Sequence, residues 1–301
     1  MKKNESRFFL LMILAMSLWA GSWVSAKMIA SEINPGLIVF WRFLITFVSF
    51  LPFLLFKIKK ITSPDRRSLA FSLGASLFIC LYNILFLLGL KGSLAGKGGV
   101  MVTTLNPLIT YLLSSFLFRQ KIMGDQKTGL FLGLTGGLLL MEPWKWETGA
   151  LVQSHNLLFL GCAFCWSVLT LMSQQAQKKM HPLWFNSILY GFGTLLMAFF
   201  LPREWIDLSL KIPTVGWVNI IYLALFAGTI GAGVYFLAAS RLGASKASTM
   251  TFLIPVLALL LGRIILGERA EWNTLAGGAL SITAVLIIND KIRIPRFQTS
   301  D

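Results

Sequence analysis

Read from its first residue, the chain alternates between long stretches with no ionisable side chain and short polar connectors. Asp, Glu, Lys and Arg are absent from 8–26, 68–90, 98–118, 154–177, 183–202 and 212–240. Three more stretches need a small allowance: 35–56 contains only Arg42, 272–289 is uncharged, and 245–266 has Lys246 at its start and Arg263 near its end. The shortest, 128–141, is glycine-rich and lies between charged connectors. About 20 helical residues cross a hydrocarbon core of ~30 Å, where every backbone polar group must be satisfied internally. The pattern predicts an all-α membrane protein of ten transmembrane helices. The connectors are too short for an extramembrane domain, so any function lies within the bilayer.

Composition agrees and removes the other classes. Of 301 residues 56% are hydrophobic and 13% charged, against roughly 25% charged in soluble domains. With 24 Phe, 10 Trp and a mean hydropathy of +0.73, the chain is neither a soluble globule nor disordered. Three Cys cannot build a disulfide framework. A net charge of +15 raises the question of nucleic acid, but the cations form short clusters between apolar runs and no continuous basic face. Counted by alternate connectors, Lys and Arg divide 18 to 6, which predicts both termini in the cytoplasm. The apolar run near the N-terminus reads as a retained first helix, because Lys27 stands where a signal peptide would need small cleavage-site residues.

The chain also repeats. Trp19-Ala-Gly-Ser-Trp-Val-Ser-Ala-Lys27 precedes Trp166-Ser-Val-Leu-Thr-Leu-Met-Ser-Gln174 by 147 residues, and Pro35 precedes Pro182 by the same distance. Ala95-Gly-Lys97 resembles Ala244-Ser-Lys246, and the pairs Pro107/Pro255 and Gly129/Gly277 are each 148 apart. The predicted units are residues 1–143 and 154–293, each with five spans. An odd number of spans inverts the second unit in the membrane. Two five-helix inverted-topology repeats are characteristic of secondary transporters, whose site lies near the midplane between halves; an old duplication without a retained mechanism is the alternative.

Several motifs carry a family resemblance. They are Leu18-Trp19-Ala-Gly-Ser-Trp-Val-Ser-Ala-Lys27, Pro35 with Trp41-Arg42-Phe43, and Leu242-Gly-Ala-Ser-Lys-Ala-Ser-Thr-Met-Thr-Phe-Leu-Ile-Pro255. Gly267-Glu268-Arg269 and Gly277-Gly278 complete the second half. The chain resembles the EamA family of the drug/metabolite transporter superfamily over nearly its whole length. The first half departs from it where the family's Glu after the fourth helix is replaced by Arg119-Gln120-Lys121. The resemblance implies a ten-helix permease of the bacterial inner membrane that exports amino acids or related small metabolites.

A charge at a helix centre costs at least about 2.5 to 3.5 kcal/mol, so each one needs a reason. Lys27 can snorkel to the outer interface. Arg42 lies deeper, and it either binds a carboxylate-bearing cargo or pairs with helix-end carbonyls. Pro107 and Pro255 are expected to be helix breaks or hinges, since each frees a carbonyl four residues upstream. Thr103, Thr104 and Asn106 add polar groups beside Pro107. Tyr82, Asn83 and Tyr235 can point into the same cavity or make interhelical contacts. Trp19 and Trp166, equivalent by the repeat, either flank an apolar or aromatic cargo or pack about the pseudo-two-fold axis. The expected substrate-binding set is therefore Trp19, Arg42, Tyr82, Asn83, Asn106, Trp166 and Tyr235.

No span contains Asp or Glu; the nearest, Glu268 and Asp290, fall at helix ends, and His155 and His181 lie at loop margins. Buried carboxylates or His usually relay protons, so uncoupled facilitation is expected. Gly92-Ser-Leu-Ala-Gly96-Lys97 lacks P-loop spacing and its Ser/Thr, and Cys162-Ala-Phe-Cys165 has no second ligand pair. No metal, cofactor or catalytic constellation is expected, and the chain is not read as an enzyme. The partners expected are a small-molecule substrate and the bilayer; a monomer is possible because both halves share one chain. The rival readings are a multidrug or cationic-compound exporter, disfavoured by the missing intramembrane carboxylates; a lipid-modifying enzyme, disfavoured by the missing acid and base groups; and a membrane scaffold without transport.

Overall fold

The structure is a computed structural model that describes residues 3–93, 95–119, 124–141, 144, 154–257 and 272–288. Gln120, Lys121, Arg263, Gly267, Glu268, Arg269 and Asp290 lie outside the described residues, as does the later part of the expected ninth span. Among the described residues the secondary structure is helical throughout, with no strand. In chain order the helices are α1 (Lys3–Ala30), α2 (Pro35–Lys57), α3 (Arg66–Lys91), α4 (Ala95–Phe118), α5 (Gly124–Met141), α6 (Ser154–Ala176) and α7 (Pro182–Phe199). A short α8 (Trp205–Leu210), absent from the sequence reading, precedes the long α9 (Thr214–Leu242). They are followed by α10 (Ala244–Thr249), a 3-10 turn over Met250–Phe252, and α11 (Trp272–Ile288).

Seven of these helices, α1 to α4, α6, α7 and α9, are long and apolar enough to cross a membrane. The other segments expected to span are less clear cut. The 18-residue α5 starts with the polar run Gly124-Asp-Gln-Lys127, and α11 contributes a shorter apolar stretch, Ala276–Ile288. Large apolar side chains cover the outside of the bundle: Phe56, Phe116 and Phe199 are each more than 80% exposed. In water such a surface would aggregate; in hydrocarbon it is the matching face. The interior conversely holds fully buried hydroxyls. Ser72, Ser76 and Thr170 donate to carbonyls four residues back, at 2.8, 2.9 and 2.7 Å. A buried hydroxyl must find an acceptor, and its own helix supplies one without opening the packing.

Local chemistry starts the helices. Pro35 and Pro182 each occupy the first turn of a helix, where a missing N–H costs nothing. Asn34 Oδ1 accepts from the Gly36 N–H at 2.8 Å, and His181 Nδ1 accepts from Leu183 at 3.2 Å. At α3 the cap is Asp65, which accepts from Ser68 N at 2.8 Å; the bonds to Ser68 hold its carboxyl below the usual range.

The helices pair reciprocally. α3 lies along α6 as α9 lies along α1; α2 faces α7 and α5 faces α11; α3 also touches α7 as α9 touches α2. α9 is not uniform: it is α over Thr214–Ile221, widens to π over Tyr222–Ala232, and returns to α over Gly233–Leu242. The widened stretch meets hydroxyl and indole donors from neighbouring helices. Thr46 donates to the Ala224 carbonyl at 3.0 Å, and Trp19 Nε1 donates to that of Ala227 at 2.9 Å.

Candidate functional site: an aromatic chamber around Arg42

α1 carries Trp19, Ser22 and Trp23 on one face, and α2, α3, α4, α6 and the segment after α10 complete a small chamber at mid-helix depth. Its volume is about 40 Å³, and its wall comprises Trp19, Ser22, Trp23, Arg42, Tyr82, Phe86, Val102, Thr103, Asn106, Trp166, Thr251 and Ile254. Trp19 and Trp166 meet edge to face with ring centroids 5.0 Å apart, the arrangement that aromatic quadrupoles favour. Tyr82 packs 4.8 Å from Trp166 and stacks on Phe86 at 5.8 Å. Trp23 closes the other side, 4.7 Å from Phe86.

Arg42 is the one cation in this wall, and no carboxylate lines it. Its Nη1 donates to Asn83 Oδ1 at 2.7 Å, while its Nε is buried without a partner. Asn83 is held in turn by its own Nδ2, which donates to the Ile79 carbonyl at 2.8 Å. The guanidinium is therefore oriented by a neutral amide and keeps N–H capacity for another acceptor. The buried Trp166 Nε1 likewise makes no hydrogen bond of normal geometry. The wall answers these donors with neutral hydroxyl and amide oxygens and no carboxylate. It offers donors and aromatic faces, with no arrangement for acid–base chemistry.

Of the seven residues expected to bind substrate, Trp19, Arg42, Tyr82, Asn106 and Trp166 line the chamber, joined by Thr103, also noted beside Pro107. Asn83 and Tyr235 stand behind it. Tyr235 packs 5.0 Å from Trp19 and shares a 3.0 Å hydrogen bond with Thr170. Asn106 has two duties, since its Oδ1 also accepts from Ser167 at 3.0 Å and Thr110 at 3.1 Å, tying α4 to α6. Lys27 takes no part; its Nζ donates to the Leu90 carbonyl at 2.6 Å and so caps the end of α3. Trp23, Phe86 and Thr251 were not anticipated. The signal for Trp23 was its position four residues after Trp19, on the same helical face.

The two prolines behave differently. α4 runs unbroken through Pro107, and the carbonyl it frees, that of Thr103, lies 3.0 Å from Thr251 Oγ1, whose single proton it shares with the Ser248 carbonyl at 2.7 Å. Pro255 is buried in a helical stretch directly after the 3-10 turn of Met250–Phe252. Thr251 is itself four residues before Pro255, so the two proline-freed positions meet directly in the chamber wall. Among the described residues no His, Cys, Asp and Glu cluster is suited to a metal. Cys162 and Cys165 are buried in α6, where Cys162 Sγ donates to the Tyr82 carbonyl at 3.6 Å.

The model of the EamA-like transporter family matches residues 7–141 and 153–290. The chain is similar to the uncharacterized transporter YyaM of Bacillus subtilis, 25% identical over 298 residues covering 97% of this chain and 96% of that protein. It is also similar to the uncharacterized transporter sll0355 of Synechocystis, 29% identical over 222 residues covering 67% of this chain and 66% of the relative. A crystal structure at 19% identity superposes with a TM-score of 0.73, covering 94% of this chain and 96% of the other, which shows a shared fold.

Proposed function

Because the chain belongs to the EamA-like transporter family and is a multi-pass membrane transporter, we propose that it carries a small carboxylate-bearing metabolite, an amino acid or related compound, by alternating access to the Arg42 chamber. The observation that carries this reading is the Arg42 guanidinium itself, buried with an unpartnered Nε and no carboxylate in the wall. An intramembrane cation is costly, and a ligand carboxylate supplies the acceptors it lacks. At about 40 Å³ the chamber is too small for an amino acid as it stands, so the reading requires it to widen as the halves move, when the rings of Trp19, Trp23, Tyr82, Phe86 and Trp166 would meet the apolar part of an amphipathic cargo. An exporter of cationic compounds is the weaker reading, since such a cargo would meet Arg42 with no counter-charge.

The layout we propose is ten spans in two inverted five-helix units, 1–143 and 154–293, with both termini cytoplasmic in a bacterial inner membrane. Contacts between equivalent positions support the repeat. Thr103 and Thr251, joined by a hydrogen bond, are 148 apart, the offset of Pro107 and Pro255. Trp19 and Trp166, in ring contact, are the pair that opens the repeat. At the α5–α11 crossing Gly136 faces the Gly277 carbonyl and Gly129 faces that of Ala284, and the same offset exchanges these contacts. A two-fold relation places self-equivalent contacts on its axis, and alternating access then follows from rocking one unit against the other. With no carboxylate in the interior of the described spans, transport is expected to proceed without proton coupling, in the export direction implied by the family resemblance.

The test is flux in proteoliposomes. Labelled amino acids, their methyl esters and cationic dyes are compared with and without an imposed pH gradient. Saturable flux of free amino acids, lost on esterification and indifferent to the gradient, is expected. Flux of dyes and esters alone supports the cationic exporter, and no flux of any compound supports a scaffold.

A further inference from the structure

A second, larger cavity lies away from the chamber, in a groove open to the side of the bundle between α2, α7 and α9. Its volume is about 440 Å³, within the range of small-molecule sites. Phe50, Phe53, Val234 and Leu237 form an apolar trough, and Lys57, His181 and Arg241 stand together at one end. These three come from α2, from the cap of α7 and from α9, and no acidic side chain lines the groove. All three fall on connectors of the cation-rich side of the chain. Arg241 is steadied by the Phe8 ring, 5.5 Å from its guanidinium carbon. His181 accepts the Leu183 N–H through Nδ1, so in its neutral form the proton is on Nε2, which is left as a donor. Burial and the neighbouring Lys57 both lower its pKa. Deeper in, Asn186 is 2% exposed and spends its Nδ2 on the Pro182 carbonyl, 2.9 Å away, while its Oδ1 is buried without a partner.

We propose that this groove is a binding site for an anionic phospholipid, taken from the leaflet at the Lys57 end. The phosphate is held by Lys57, Arg241 and the His181 Nε2–H, and one acyl chain lies in the trough. Charge complementarity selects the occupant: a trough alone takes any chain, whereas three clustered donors without a carboxylate select an anion. A freely diffusing anion has no use for the trough. The site is independent of the chamber, as the two cavities share no lining residue.

The test titrates the full-length chain in neutral detergent with dioleoylphosphatidylglycerol, dioleoylphosphatidylcholine and inorganic phosphate, reading adducts by native mass spectrometry and thermal melting in parallel. One phosphatidylglycerol per chain is expected to be retained, at least about tenfold more tightly than phosphatidylcholine, with no melting shift from phosphate. The combined Lys57→Gln and Arg241→Gln variant is expected to bring phosphatidylglycerol down to the phosphatidylcholine level. Val234→Phe, which fills the trough and keeps every charge, is expected to displace the lipid and answers the question should the double variant fail to fold. Equal retention of the two lipids by the unaltered chain, undiminished selectivity in either variant, or a melting shift reproduced by phosphate alone would overturn the proposal.

Discussion

The two seams at which the proposed halves meet are built on opposite principles. Where α5 crosses α11, glycines bring the backbones together: a β-carbon on Gly136 would stand 2.7 Å from the Gly277 carbonyl oxygen. In a bilayer, where lipid tails are as apolar as leucine, such close packing drives association. Where α1, α3 and α6 meet, the seam is instead aromatic and polar. It leaves a small void, and a guanidinium in its wall lacks part of its hydrogen bonding. One seam is closed by shape and asks nothing of a ligand; the other is left chemically incomplete. The proposed transport site lies in the second seam, and the first serves to pack the helices together.

The comparison is tested most strongly at Arg42. Arg42→Gln keeps a hydrogen-bonding partner for Asn83 and removes the charge, so amino-acid flux is expected to fall about 30-fold or more while the thermal melt stays the same or rises. A large loss of melting temperature with unchanged flux per folded molecule would make Arg42 structural. The converse experiment is Gly136→Ala, which forces a methyl against backbone and is expected to destabilise by about 1–3 kcal/mol, the range for overpacking, lowering the melt. Gly124→Ala, with nothing within 4 Å of the added carbon, is its control and should leave the melt in place. Trp19→Phe retains a ring but deprives the Ala227 carbonyl of its indole donor. About 1 kcal/mol of stability should be lost, with a raised half-saturation concentration for aromatic amino acids measured by flux. The smallest effect is expected for Thr251→Val, which uncaps the Thr103 carbonyl freed by Pro107. It should cost at most about 1 kcal/mol, and a slower flux at saturating substrate would show that this cross-half bond takes part in the conformational change.

The charge-free runs revealed the helices because hydrocarbon forbids unpaired backbone and penalises charge, leaving the chain few alternatives. The same penalty made Arg42 conspicuous, and the repeat singled out Trp19 and Trp166 from the other tryptophans. Phe86 carried no such mark, and the marks on Trp23, one turn after Trp19, and on Thr251, 148 residues after Thr103, were fainter. In a chain with 24 Phe and 10 Trp, an aromatic ring facing a cavity has the same composition as one facing lipid, and a threonine in the wall resembles one bonded to its own helix. The widening of α9 over Tyr222–Ala232 was invisible for another reason. That stretch contains no proline, and its carbonyls meet donors from α1 and α2 that come from elsewhere in the chain. Asn106 illustrates the limit from the other side: it was noticed for its chemistry, yet that chemistry is also spent on Ser167 and Thr110.

The central claim is that the Arg42 chamber opens in turn to each face of the membrane. Ser22 lines the chamber, and Cys80, Cys162 and Cys165 are buried, so a single reporter thiol can be installed. The measurement is labelling of Ser22→Cys, in a background with those three cysteines replaced by Ala, by a membrane-impermeant maleimide applied to oriented vesicles from one face and then the other. The account predicts modification from both faces, slowed by a transported amino acid and not by its methyl ester. Modification from one face only, or from neither in folded protein, would contradict it.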